Sequence, residues 1–369
     1  MFRPLWIEIN LAKLGKNFQI IKNIVGKEVK ILASLKQEAY GHGLLPVAQK
    51  LIKLGIDFLG LGDLEEGISL REKKITTPIL IFTVMSSNQA KYFVEYKITP
   101  TVVDLEFANQ LNKQAKKRKE IFPIHIKIDT GMGRIGHWYK QAYRFVEEIT
   151  KFKNLTIEGI YTHLSSADTD EKFTLHQIKI FHQFLHNLRK RGISFNYAHC
   201  ANSAGLVKYP QSHFNLVRPG LILYGINPLT QSCVEVEPVL SLKSKIIFIK
   251  KVEKGRPIGY GRTYITKRTT KIATVAIGYA DGYPWALSNK ARVLIKGEYF
   301  NLVGRVCMDH IMVDIGNRED IKVGEEVVLI GSSGNLKITA EQVANWANTI
   351  SYEIVSKLSL KIPRRIVKN

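Results

Sequence analysis

Through the first 225 residues or so, short apolar runs alternate with longer runs at helical spacing. That alternation restricts the fold more than any other feature, because strands and helices in strict succession build a parallel sheet wrapped by helices. The strand-like runs are Val29–Leu35, Phe58–Gly62, Pro78–Val84, Ile98–Val103, Pro123–Asp129, Leu155–His163, Phe195–Cys200 and Phe214–Leu216, with VRPGLILYG closing the series. Between them, helical spacing covers Leu44–Leu54, Leu64–Lys74, Asn88–Tyr96, Leu105–Lys119, Gln141–Phe152 and Lys172–Arg191. The last carries Ile178, Phe181, Phe184, Leu185 and Leu188 along one face. A doubly wound sheet shares the alternation, but about eight units in this length favour a (β/α)8 barrel, which takes roughly 250 residues.

From about Glu237 the pattern changes. LSLKSKIIFIKKV, KIATVAIG, ARVLIKG, HIMVDIG and EEVVLIG alternate with a period of two, turn residues separate them, and little helix precedes Thr339–Asn348. The expected fold class is therefore α/β. An N-terminal (β/α)8 TIM-like barrel over residues 1–235 is followed by a smaller, mostly β C-terminal domain over 236–369, and residues 1–10 are expected to pair with the latter. A chain of 369 residues is long enough for both.

Composition enters as a filter on function. With 45% hydrophobic and 23% charged residues the chain reads as an ordinary globular protein, and no apolar run approaches the ~20 residues that cross a bilayer. The opening MFRPLWIEINLAKL is interrupted by Glu8, Asn10 and Lys13 and does not read as a secretory signal. Cys200, Cys233 and Cys307 are too far apart for a disulfide framework or a metal spacing, so a cytoplasmic protein with no metal is expected. The formal net charge of +22 raises nucleic-acid binding as an option. The basic residues are scattered, however, and the densest run, Lys113–Lys119, ends a predicted helix, where cations complement the dipole. A solvated basic surface is the better reading; no nucleic-acid and no membrane partner is expected.

Barrels carry their chemistry where the strands end. Lys36 sits where the first apolar run stops, inside Val29–Gly43 (VKILASLKQEAYGHG). Burial there disfavours its ammonium form and prepares an amine nucleophile or base. The other strand ends bring Tyr40, Asp129–Gly136 (DTGMGRIG), His163, His199–Ser203 (HCANS) and Arg218–Leu221 (RPGL). Glycines there let backbone amides approach an anion, which marks Ser203, Gly220 and Leu221 as phosphate donors. Each stretch has a plain alternative in loop chemistry, such as a glycine turn, an Asn–Ser cap or a hydrogen-bonded histidine. Their recurrence at the same end of successive strands favours a site.

LKQEAYGHG, KIDTGMGRIG, YTHLSSAD, HCANSAG, VRPGLILYG, GYGRTY, IGYADGYP, GRVCMDH and ISYE together resemble, in order and position, the corresponding segments of alanine racemases. The resemblance covers almost the whole chain. It implies a pyridoxal 5'-phosphate (PLP) enzyme that interconverts L-alanine and D-alanine and supplies D-alanine for cell-wall peptidoglycan. It also implies a homodimer whose active sites are shared across the interface.

By the same resemblance Lys36 carries the cofactor and acts as a base on one face of the substrate. Tyr260, from the partner subunit, serves the other face. A phenol with an ordinary pKa of about 10 needs help to act as a base near neutrality, and His163 matches the histidine that assists it. Arg218 resembles the arginine facing the pyridine nitrogen; it cannot give up its proton, so the ring stays a restrained electron sink. Tyr40, Ser203, Gly220, Leu221 and Tyr352 match phosphate contacts. Arg134 and the backbone amide of Met308 match contacts to the substrate carboxylate. Tyr283 and Arg305 resemble residues at a narrow entry, with a structural tyrosine and a surface arginine as the plain alternatives. Asp309 is expected to orient its loop.

Lys127 matches a lysine that is carbamylated in some members; an unmodified lysine paired with Asp129 is the other reading. One departure stands out: Gln37–Glu38 replaces the usual Ala-Asn after the lysine, and an inward-pointing Glu38 would raise the pKa of Lys36. Two further readings of function stay open. One is a serine or broad-specificity racemase of the same fold, and the other a PLP-binding protein without turnover.

Overall fold

The computed structural model describes residues 3–229 and 234–367; Cys233 lies outside them. β1 (Leu5–Asn10) and α1 (Leu11–Val25), which the alternation leaves unassigned, open the chain. Asn10 accepts the amides of Ala12 and Lys13, both at 3.0 Å, and so starts the helix; Gly26, at φ +78°, ends it.

A parallel sheet follows: β2 (Lys30–Ser34), β3 (Phe58–Leu61), β4 (Ile79–Ile81), β5 (Thr99–Val102) and β6 (Phe122–Asp129) come first. The two-residue β7 (His137–Trp138) hangs on the end of β6, and β8 (Leu155–Tyr161), β9 (Tyr197–His199) and β10 (Leu216–Val217) complete the set. The segments between them form α2 (Lys36–Gly41), α3 (Leu44–Lys53), α4 (Leu64–Glu72), α5 (Ala90–Tyr96), α6 (Leu105–Arg118), α7 (Ala142–Thr150), α8 (Glu171–Lys190) and α9 (Ser203–Lys208). Strand order is β10-β2-β3-β4-β5-β6-β8-β9. No ladder joins β9 to β10 among the described residues; the Arg218 amide donates to the Ala201 carbonyl at 2.9 Å across that seam. The result is an eight-stranded near-barrel.

The face predicted for α8 is the buried one, including Ile178, Phe181, Phe184, Leu185 and Leu188. Each such phenyl ring contributes about 2 kcal/mol by leaving water. Inside the barrel Leu32, Phe58, Leu80 and Leu216 pack together, which leaves the carboxyl ends of the strands for polar groups.

The rest is mostly strand: β11 (Leu240–Val252), β12 (Pro257–Ile258), β13 (Tyr264–Ile265), β14 (Thr270–Val275), β15 (Arg292–Ile295), β16 (Glu298–Leu302), β17 (Ile311–Gly316), β18 (Glu326–Ser333), β19 (Leu336–Ile338) and β20 (Arg364–Val367), with α10 (Ala340–Ala347) and α11 (Ser351–Ser356) before the last. Nine strands form one sheet in the order β19-β18-β15-β16-β17-β14-β11-β1-β20. β11 is its spine, pairing antiparallel with β1, β14 and β18. β1 lies in this sheet, with Ile7 opposite Leu242, so the first strand of the chain is built into the C-terminal layer. β12 and β13 form a separate small hairpin whose turn carries Tyr260.

Candidate active site at the carboxyl ends of the barrel strands

Lys36 begins an unusual turn. Gln37, Glu38, Ala39 and Tyr40 all have φ between +53° and +55°, a run of left-handed helix built from residues with side chains. Each such residue costs roughly 1–2 kcal/mol, so the surroundings must hold the turn in place. Glu66 does much of this by accepting the Glu38 amide at 2.8 Å and the Gly62 amide at 3.2 Å. Glu38 itself accepts the Leu44 amide at 3.0 Å, at the start of α3. Its carboxylate therefore caps a helix and does not line the cavity above Lys36. The Tyr40 hydroxyl meets Ser34 Oγ at 3.2 Å.

Above the strand ends lies a cavity of about 530 Å³. Lys36, Tyr40, Lys127, Arg134, His163, Ser203, Arg218, Gly220 and Tyr352, all singled out by sequence, line it together. Asp168 is the one acidic residue among the lining, against Lys36, Lys127, Arg134 and Arg218. This imbalance adds to burial in setting the titration of the site. Burial pushes Lys36 below its ordinary value, helped by the Arg134 charge and opposed by Glu66. Burial, then Arg218 and Arg134, push Lys127 down to about 7, with Asp129 opposing. His163 is held well below its ordinary value by burial and then by Arg218, so it is neutral. The alternative reading, an unmodified Lys127 paired with Asp129, is not what the structure has: the Asp129 carboxylate accepts the amides of Gly131, Met132 and Gly133 at 2.8–2.9 Å. Lys127 Nζ instead lies 5.3 Å from the centre of the Tyr161 ring.

Arg218 is buried and donates from Nη1 to His199 Nδ1 at 2.7 Å, and from Nη2 to the carbonyls of Thr162 at 2.8 Å and Cys200 at 3.1 Å. Nη2 also reaches His163 Nδ1 at 3.4 Å. A guanidinium only donates, so both Nδ1 atoms accept.

At the other end of the cavity Ser203 Oγ accepts the Gly220 amide at 2.9 Å and the Ile222 amide at 3.4 Å. Asn202 caps α9 through the Gly205 amide, so the cap expected from sequence and a cavity-facing serine coexist. A Cβ on Gly220 would sit 3.0 Å from the Tyr40 hydroxyl, so any larger residue there would press on that hydroxyl. Leu221, also expected at a phosphate, opens a 3-10 turn, Leu221–Tyr224, is buried, and is not among the residues lining the cavity. Tyr352, on α11, brings the C-terminal layer to the rim, its ring centre 6.0 Å from that of Tyr40.

Two candidates are elsewhere. Tyr260 is 72% exposed and Met308 54% exposed, and neither lines this cavity. Arg305 packs near Gly261, which lies beside Tyr260, with its guanidinium 5.5 Å from the Trp285 ring centre. Asp309 pairs with Arg3 at 3.7 Å, while Arg3 also holds Asp281 at 2.6 Å. Tyr283 is buried and its hydroxyl has no partner among the described residues, so it forms no part of this cavity's wall. Sequence reasoning missed Tyr161, a lining residue stacked on His199 at 4.6 Å. The signal was present: Tyr161 precedes His163 by two positions, at the end of β8.

The chain matches the family model described as alanine racemase, N-terminal domain, over residues 9–228, and the one described as alanine racemase, C-terminal domain, over 239–366. It is 42% identical over 365 residues to the alanine racemase of Halothermothrix orenii, covering 98% of this chain and 96% of that one. The alanine racemase structure from Clostridium difficile 630 superposes with a TM-score of 0.95 at 39% identity, covering 100% of this chain and 97% of the other. The alanine racemase structure from Bartonella henselae with covalently bound pyridoxal phosphate is 26% identical, with a TM-score of 0.89 and coverage of 99% on both sides. Among the described residues no helix is long and apolar enough to cross a membrane.

Proposed function

This chain belongs to the alanine racemase family, and from that premise we propose how its own residues interconvert L-alanine and D-alanine. The observation that carries the reading is the cationic cavity joining Lys36, Arg134, His163 and Arg218 in one chain, while Tyr260 stands exposed outside it.

The residues fit pyridoxal 5'-phosphate at both ends. Ser203 Oγ and the Tyr40 hydroxyl would supply neutral donors for a phosphate beside the closely packed Gly220 backbone, and Tyr352 would add a hydroxyl at the rim. Arg218 supplies a permanent donor for a ring nitrogen. Lys36, with its ammonium form disfavoured by burial, is suited to hold an aldehyde covalently. When bound, the cofactor supplies the electron sink that lets an α-proton leave.

Lys36 Nζ takes or returns that proton on one face. We assign the other face to Tyr260 of a second copy, with homodimerisation as part of the same reading; His163, neutral and buried with Nδ1 accepting from Arg218, carries its proton on Nε2 and would donate that N–H to the phenolic oxygen, which eases loss of the phenol's proton. Arg134 and the Met308 amide, the latter also from the second copy, would hold the substrate carboxylate. Arg218 keeps its proton and restrains the sink, which limits side reactions. Cys200 and Cys307, both free, support a cytoplasmic site of action.

The test is chiral analysis of L-alanine incubated with the full chain and PLP. D-Alanine forms with the intact protein and not with Lys36→Ala. Racemisation of serine in place of alanine would overturn the substrate, and PLP retention with no racemisation at all would overturn the enzyme.

A further inference from the structure

Among the described residues, the four hydrogen-bond partners of Arg218 are His199, His163 and two carbonyls, none of them a carboxylate. A buried guanidinium without a counter-charge is costly. The nearest answer runs down the barrel interior. His199 Nε2 meets His125 Nδ1 at 2.9 Å, and His125 Nε2 meets Glu158 Oε2 at 3.2 Å. Only one proton arrangement satisfies the whole chain. Arg218 donates to His199 Nδ1, so a neutral His199 carries its proton on Nε2 and donates to His125 Nδ1; His125 then carries its own on Nε2 and donates to the carboxylate.

Three features of the fold serve this chain. The β6–β8 register jumps from Ile124 opposite Ile157 to His125 opposite Gly159, so Glu158 is a bulge residue with no partner across the ladder. Bulges re-aim side chains, and here the re-aimed one meets His125. A Cβ at Gly159 would lie 2.4 Å from His125 Cε1, so glycine makes room for the imidazole. Tyr161 stacks on His199 with the rings 6° from parallel, and Tyr197 stacks on His125 at 26°. Both imidazoles are fully buried, while the Glu158 side chain is 22% exposed, so the chain links the cavity to a partly hydrated carboxylate.

We propose that Glu158 is a positioning residue for Arg218, supplying its counter-charge through His125 and His199 and fixing the direction of the proton chain behind the ring-nitrogen site. The proposal rests on the racemase reading for its consequence in catalysis, but not for its existence in the unloaded protein. With the chain polarised this way, Arg218 Nη1 is committed to His199 and the guanidinium is held in one orientation. Reversal of either imidazole would set donor against donor and release it. The depressed histidine titrations, caused first by burial, agree with two neutral rings.

The experiment is histidine-labelled nitrogen NMR on the full chain, with and without PLP, together with steady-state kinetics and the absorption spectrum of the loaded enzyme. In the wild type both His125 and His199 are neutral with the proton on Nε2, already without cofactor. Glu158→Gln keeps an acceptor oxygen and removes the charge; it retains the tautomers, shifts the cofactor band and lowers kcat. Glu158→Leu releases the His125 tautomer and lowers kcat about tenfold, with KM for alanine within about twofold, as loss of an orienting outer partner does elsewhere. Glu158→Asp, keeping the charge, restores part of kcat. A proton on Nδ1, or on both nitrogens, of either histidine in the wild type overturns the chain without recourse to any variant. Unchanged tautomers, band and kcat in Glu158→Leu overturn it as well. If the wild type racemises nothing, the racemase reading fails separately, and the tautomers still decide the chain.

Discussion

A lysine that has lost most of its water and faces Arg218 and Arg134 gives up its proton near neutrality, and Lys127, pushed down to about 7, is such a lysine. A neutral amine can attack carbon dioxide: the N–C bond forms, one proton leaves, and the carbamate brings a negative charge into a cavity rich in cations. Incubation with labelled bicarbonate above pH 7 should give a carbamate carbon signal in the wild type and none in Lys127→Ala; the signal should fade as pH drops below about 7, where Lys127 is protonated. No signal at any pH would leave the unmodified amine as the working form. The same titration bears on folding. The unfolded lysine holds its proton up to about 10.5, while the folded one releases it near 7, so Lys127 makes stability rise with pH across that window. The motif pointed to Lys127 but left its pairing with Asp129 open. Turn geometry settled that choice, since Asp129 is already occupied by three consecutive amides.

Among the elements, the turn after Lys36 is the one least visible in the sequence. Gln37-Glu38-Ala39-Tyr40 contains no glycine or asparagine, and ordinary propensities predict a right-handed helix there. Its hand is imposed by tertiary partners distant in sequence, chiefly Glu66 and the C-terminal layer. Gly41 marks the contact: at φ +79°, a Cβ would stand 2.3 Å from the Val355 carbonyl oxygen on α11. Gly41→Ala should therefore cost about 2 kcal/mol or more and lower the melting temperature, because backbone cannot give way as a flexible side chain can. It should also loosen PLP, measured by equilibrium dialysis, since Lys36 and Tyr40 are held by the same turn. A variant as stable as wild type would mean that α11 does not brace the turn.

The barrel strands were legible for the opposite reason. Runs such as Ile79–Ile81 and Leu155–Tyr161 are fixed by local apolar pattern and burial, with little needed from afar. β16 (Glu298–Leu302) was not legible, because EYFNL leaves all but its last residue at least partly exposed and gives no clean alternation.

At the scale of the whole molecule, Lys36 and His163 line one cavity that Tyr260 does not line, while Tyr260 stands exposed on a turn of the C-terminal layer. Tyr260, Met308 and Trp285 are large, exposed and carried by the C-terminal layer, as expected of surfaces reserved for a second copy. If two copies exchange these surfaces about a two-fold axis, each site draws Lys36 from one chain and Tyr260 from the other. Lys36→Ala and Tyr260→Phe are then each inactive alone. In a mixed dimer, one site inherits both substitutions and the other inherits neither. Random pairing makes half the dimers mixed, so co-expression should restore about a quarter of wild-type activity. Sites contained within single chains would restore none. The net charge of +22 on each chain adds a second condition, because two such chains repel. Chain exchange between separately purified variants, followed by the recovery of activity, should lead to more mixed dimer at physiological salt, where charges more than about 8 Å apart are screened, than at low salt. Recovery that falls as salt rises would mean that specific ion pairs between the copies, rather than apolar contact, hold the dimer.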